Sequence, residues 1–162
     1  MPLLHVSPSP PTPFPSLSLY LPEPTPFPRG FISVPICACG RAWTVTDNAA
    51  QIVRVLSWNG SSKHFGFMAV CPGCEESCTH QNGVDLHYVF PLTAQAPSTF
   101  VSVDVFDELH RLSVHCPEFS FHRRLAFLRE RWEIHGSDCM VDESDIRASF
   151  QAFQEVKFHS ER

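Results

Sequence analysis

The chain contains no apolar run near the roughly 20 residues needed to cross a bilayer, so no spanning helix is expected. Its first 28 residues hold no Lys or Arg, and a secretory leader or transit peptide would carry basic residues there; neither is expected. Basic residues are the minority overall, 12 against 17 acidic, for a net charge of -5. A duplex-DNA binder needs a basic excess to neutralise phosphates, so that partner is disfavoured. Enzyme signatures are missing too. No H-x-E precedes the cysteine pairs, and there is no H-E-x-x-H, phosphate-cradling Walker loop or G-x-S-x-G. The chain therefore reads as non-enzymatic.

Hydrophobic residues make up 43% of 162, enough for one packed domain plus an appendage, or two very small domains. Seven cysteines without a leader argue against a disulfide framework, and the odd count agrees. In a reducing compartment, clustered cysteines point to metal or catalysis.

Three regions emerge from composition. Residues 1–29 hold ten of the fifteen prolines, and the tetrad Thr-Pro-Phe-Pro occurs at 12–15 and again at 25–28. Proline fixes φ and removes backbone donors, so a flexible, extended arm is expected. Its sharper alternative is a docking peptide anchored by Phe14, Tyr20 and Phe27 in an aromatic-lined groove. Residues 30–101 read as a β module, with strands at 31–36, 42–46, 51–58, 65–70 and 85–92, turns at Asp47-Asn48, 59–62 and 81–83, and a loop over 93–101. Residues 102–162 switch to helical periodicity. Val105, Leu109 and Leu112 share one face of a first helix. Phe121, Leu125, Leu128 and Trp132 form the inward stripe of a second, with Pro117 in its first turn and Gly136 at its end. Ile146, Phe150 and Phe153 line a third, starting near Asp142. The expected fold class is α+β: a small zinc-ribbon-like antiparallel β module followed by a helical region.

The chemistry concentrates in two cysteine pairs, Cys37-Ala-Cys39-Gly40 and Cys71-Pro-Gly-Cys74. Zinc takes four ligands in a tetrahedron, and two close-spaced pairs joined by a hairpin supply them. Gly40 and Gly73 let each turn curl so that backbone N–H groups face the sulfurs. Cys78 and His80 lie close enough in sequence to replace one ligand. A softer candidate for a second zinc site is His135-Gly-Ser-Asp-Cys139 completed by His115 or Cys116, against the commoner reading of packed or solvated helix residues. Four thiolates leave no open coordination position, which again argues against catalysis.

The stretch Gly30-Phe-Ile-Ser-Val-Pro-Ile-Cys-Ala-Cys39, together with His64-Phe-Gly-Phe-Met-Ala-Val-Cys-Pro-Gly-Cys-Glu-Glu-Ser77, resembles the first-reading-frame protein of sobemoviruses, a family of RNA-silencing suppressors and movement proteins of plant viruses. The resemblance covers residues 30–80, and a later His-x₃-Cys is matched by His135 and Cys139. It implies a zinc-stabilised suppressor of host silencing that aids virus spread, with zinc on Cys37, Cys39, Cys71 and Cys74. It also implies action in the host cytoplasm, with the nucleus as a second location, and partners among silencing-pathway or movement-related proteins. RNA is the competing partner, through Arg123, Arg124, Arg129 and Arg131 in the second helix. Glu118, Glu130 and Glu133 leave that patch a balance of +1, so weak RNA binding is expected and protein contact ranks first. A cellular zinc-ribbon adapter is the remaining alternative.

Overall fold

In the computed structural model of the chain the described residues are 23–33, 37–95, 97–136 and 141–160. They form an α+β fold, a curled five-stranded sheet followed by three helices. The strands are β1 (Thr44–Ser57), β2 (Gly60–Val70), β3 (Ser77–Thr79), β4 (Val89–Pro91) and β5 (Thr99–Ser102). Their order across the sheet is β3-β2-β1-β5-β4. Helices α1 (Val103–His115), α2 (Phe121–Ile134) and α3 (Glu143–Ser160) come next.

The β1–β2 hairpin is the frame. It turns at Trp58-Asn59, where the sequence carries its Asn-Gly turn signal. Two strands expected at 42–46 and 51–58 are one strand. The Asp47-Asn48 turn signal became a bulge, with the β2 register jumping from Asn48↔Gly66 to Ile52↔Phe65. The Asn48 Oδ1 accepts from the Ala50 N–H at 3.2 Å, which gives one N–H of the bulge a local partner. The sheet is not wholly antiparallel, because β5 lies parallel to β1. The loop expected over 93–101 contains the start of β5, a strand too short to show alternation. The strand expected at 31–36 is a 3₁₀ turn over Arg29–Phe31 and a single bridge from Ile32 to Val84; residues 34–36 lie outside the described residues.

Period-2 alternation sorts the core onto two faces. Leu56, Val101 and Phe90 form one cross-strand row under the helices. They pack with Val105, Phe106, Leu109, Phe121, Leu125, Leu128, Trp132, Ile146, Phe150 and Phe153. These include the inward stripes expected for α2 and α3; in α1, Leu112 is only half-buried. Val53, Val55, Phe67, Val89 and Phe100 point to the other face, which the segment before β1 covers with Phe27, Phe31 and Ile32. The arm read as ending at 29 is thus part of the fold from Thr25 onward. Phe27 is 1% exposed, and the aromatic-lined groove it enters belongs to its own chain.

Helix α2 is fixed at both ends. The Ser120 hydroxyl accepts from the Arg123 N–H, so the helix begins at Phe121, beyond the expected Pro117. Gly136 adopts φ +71 and donates its N–H to the Glu133 carbonyl, a left-handed stop that favours glycine. Between them, the Trp132 indole donates to the Ser57 carbonyl at 2.8 Å and ties α2 to the β1–β2 turn. The Ser149 hydroxyl donates to the Pro91 carbonyl at 2.7 Å and ties α3 to β4.

Candidate metal centre

Cys71 comes directly after β2, and residues 71–76 turn the chain back into β3. The Cys71 N–H donates to the Glu76 carbonyl at 2.8 Å and the Glu75 N–H donates to the Cys71 carbonyl at 3.1 Å. Glu75 takes the left-handed conformation, φ 60, a strained choice for a residue with a side chain that closes this tight turn. Facing it, Cys37 and Cys39 sit in a turn closed by the Gly40 N–H on the Cys37 carbonyl at 2.7 Å, with Gly40 at φ +80. Gly73 is required for a different reason. A Cβ there would lie 3.0 Å from the Cys39 sulfur and 3.0 Å from the Arg41 side chain, so only glycine lets the two turns approach.

The two turns bring Cys37, Cys39, Cys71 and Cys74 together, with all four sulfurs within 4.8 Å of one another. Cys37 and Cys74 sulfurs are 2.9 Å apart, and Cys39 and Cys71 are 3.3 Å apart. A disulfide would hold them at about 2.05 Å. Four sulfurs at about 2.3 Å from one zinc stand about 3.8 Å apart, so the two close pairs would open by about 0.5–0.9 Å around an ion. Cys37 and Cys71 are buried, Cys39 and Cys74 exposed, which leaves an entry side. The cluster could hold a metal ion.

Its protonation chemistry suits that role. Cys71 is drawn down to about 6, first by the Cys74 backbone N–H and then by that of Gly73, against the opposing cost of burial. Cys37 is pushed up to about 12. The Cys39 N–H pulls it down, but hydrogen bonding to Cys74 and the other cysteines together with burial outweigh that pull. The turn's N–H groups thus favour the thiolate at Cys71, while its neighbours and burial favour the protonated thiol at Cys37. The Arg41 side chain lies over Gly73 and adds a cation beside a tetrathiolate site. Its position directly after Gly40 was the only sequence signal for it.

Comparison with protein-family models, with curated proteins and with solved structures returns no match.

Cys78 and His80 do not join the cluster. Cys78 is half-buried beside Gly83, whose added Cβ would lie 2.9 Å from its sulfur, and burial raises its thiol. His80 is 3% exposed and packs over Gly66; burial lowers its pKa and its Nδ1 has no partner. In the candidate second site, Cys139 lies outside the described residues. His115 is exposed at the end of α1, Cys116 is half-buried as its C-cap, and His135 is the exposed C-cap of α2. Among the described residues these three form no metal-sized group with one another or with an acidic neighbour.

The arginines of α2 are largely occupied. Arg124 donates to the carbonyls of Phe119 and Leu109, Arg129 donates to that of Val141 at 2.7 Å, and Arg131 donates to that of Trp58 at 3.1 Å. Arg123 stacks over the Phe119 ring at 5.8 Å.

Proposed function

We propose that this chain is a zinc-organised, non-catalytic suppressor of host RNA silencing that supports virus spread through protein contacts in the plant cell. The observation that carries the reading is the convergence of Cys37, Cys39, Cys71 and Cys74, the same cysteines on which the resemblance to sobemovirus suppressors rests. Zinc is the ion that fits best, because four soft thiolates in a closed sphere select it over hard cations. The protein would use it as a clamp between the turn before β1 and the β2–β3 turn, a zinc-ribbon-like role, with no position left for substrate.

Protein contact ranks above RNA because three of the four α2 arginines already donate to carbonyls of their own fold. The outward side of α2 offers a protein-like surface instead. Phe127 is 51% exposed and stacks on Phe119 at 5.7 Å, and Ile134 is 76% exposed. Aromatic residues with arginine beside them are the composition of interface cores.

The test pairs two measurements on wild type and on Cys71→Ser/Cys74→Ser. Native mass spectrometry counts zinc per chain, and a silenced fluorescent reporter in leaf tissue reads suppression. Zinc in the wild type, with both zinc and suppression lost in the variant, supports the proposal. Zinc without suppression in the wild type refutes the viral role and leaves a metal-organised adapter. A folded, active chain without zinc refutes the clamp.

A further inference from the structure

We infer that the groove holding Phe27 is a recognition site for the segment Pro-Thr-Pro-Phe-Pro, and that the chain carries a second ligand for it at residues 11–15. The resident copy is residues 24–28. The two pentads are identical and 13 residues apart.

The groove reads the residues both copies share. Strand β3 covers β2 only from Met68 to Val70, so the edge of β2 at 63–65 is open to another strand. Thr25 fills it. Its N–H donates to the Lys63 carbonyl at 3.2 Å, and its carbonyl accepts from the Phe65 N–H at 2.8 Å. Its hydroxyl meets the His64 Nδ1 at 3.0 Å, and the Pro26 carbonyl lies 3.3 Å from the same nitrogen. Pro24 and Pro26 have no N–H, so Thr25 supplies the single backbone N–H of residues 24–26, and it points at β2. Phe27 then enters the core, its ring centroid 5.2 Å from Phe67, 6.1 Å from His64 and 6.3 Å from Phe100. Thr12, Pro13 and Phe14 carry the same groups in the same order.

The resident copy is favoured by its C-terminal neighbours. The Phe31 N–H donates to the Pro28 carbonyl at 3.0 Å, and Arg29 pairs with Asp47 at 3.6 Å. Seating residues 11–15 leaves 13 residues to close back onto Arg29, and loop-closure entropy disfavours that by roughly 50-fold. Residues 24–28 are thus the resident ligand and 11–15 the reserve. Exchange releases Phe27 and its flanking prolines from the sheet while the core stays filled by Phe14.

The experiment compares wild type, Phe14→Ala, Phe27→Ala and Phe14→Ala/Phe27→Ala as full-length chains. Folded-to-unfolded ratios come from urea unfolding, and the His64 ring resonances by NMR read whether an aromatic ring sits in the groove. Phe14→Ala alone should change neither. Phe27→Ala should lose no more than about 50-fold, because the reserve copy replaces it. It should also keep His64 shifted by a neighbouring ring. The double variant should lose at least a further tenfold, about 1.4 kcal/mol, and release the His64 shift. If Phe27→Ala already equals the double variant in both readouts, the proposal is overturned. If its rescue grows with protein concentration through a dimer, the donor is a second copy and exchange within one chain is overturned. A diazirine-bearing phenylalanine at position 14 of the otherwise unchanged chain gives a second measurement, independent of the folding of Phe27→Ala. Intramolecular photocrosslinks to the peptides carrying His64, Phe67 or Phe100 support the exchange; their absence under conditions that label other sites overturns it.

Discussion

Replacing Arg131 by alanine separates the two roles open to the arginines of α2. Its Nε–H donates to the Trp58 carbonyl at 3.1 Å, an NH2 group donates to the Asn59 Oδ1 at 3.1 Å, and its guanidinium lies 4.7 Å above the Trp58 ring. All three contacts clamp the tip of the β1–β2 hairpin to the helix layer. A charge-assisted bond to a half-buried carbonyl contributes about 1.5–3 kcal/mol. The bond to Asn59 is solvent-exposed and adds little, and the ring contact contributes about 0.5–1 kcal/mol. Arg131→Ala should therefore destabilise by about 2–4 kcal/mol, a fall in Tm of roughly 5–15 °C for a chain of this size. Arg131→Lys should recover only part of this, because an ammonium cannot span carbonyl, amide and ring at once. The assay is urea and thermal unfolding, run beside an RNA gel-shift at physiological salt. A fall in stability with RNA binding already weak in the wild type fits a structural arginine. Unchanged stability together with a tenfold loss of RNA affinity would refute the reasoning and return RNA to first place.

Under the proposed zinc clamp, chelation or Cys71→Ser/Cys74→Ser should remove the metal and let the two turns separate, since structural zinc contributes about 10 kcal/mol where it organises a small module; exchange protection of amides in 37–43 and 71–79 reads it. In the metal-free chain the Cys71 thiol is depressed from 9.0 to about 6, so its contribution to stability is complete above pH 9 and is lost as pH falls through about 6. Cys37, raised to about 12, acts oppositely, contributing below pH 9 and losing that share as pH climbs towards 12. Unfolding midpoints of the metal-free wild type should thus decline from pH 8 to 5.5, and Cys71→Ser should flatten that decline; parallel curves would contradict the assignment. Gly66→Ala should destabilise by about 1–3 kcal/mol, because its Cβ would stand 2.7 Å from the His80 Nδ1 and 3.0 Å from the Gln51 Cβ in the middle of the sheet, and a neutral effect in urea would show that His80 can move aside.

Much of the helical half was legible because its signals are local. The stripe Phe121, Leu125, Leu128 and Trp132 repeats at helical spacing, and the buried residues of α2 are those four. The inward residues of α3 obey the same rule. The four cysteines were legible as candidate ligands because a tetrahedral ion needs close-spaced pairs, and the pairs converge in space. The β half was harder. Asp47-Asn48 is a turn signal on any local reading, yet the partner strand continues past it and absorbs it as a bulge. Strand β5 has only four residues, and its direction beside β1 is set by the chain's path between β4 and α1 rather than by its composition.

The sequence by itself determined the cysteine pairing by spacing, the helical stripes, the hairpin turn at Asn59-Gly60 and the repeated Thr-Pro-Phe-Pro. Each depends on residues a few positions apart, where geometry is set by covalent connection. Only the tertiary structure decided what those pieces do together. It turned Arg124, Arg129 and Arg131 of α2 inward onto carbonyls of Leu109, Val141 and Trp58, left Cys78 and His80 outside the cysteine cluster, and seated Phe27 in the core beside β2. These outcomes depend on which distant surfaces meet. Burial and hydrogen-bond satisfaction at those meetings outweigh local propensity, which is why a proline-rich segment with every mark of a loose arm ends with its phenylalanine in the core.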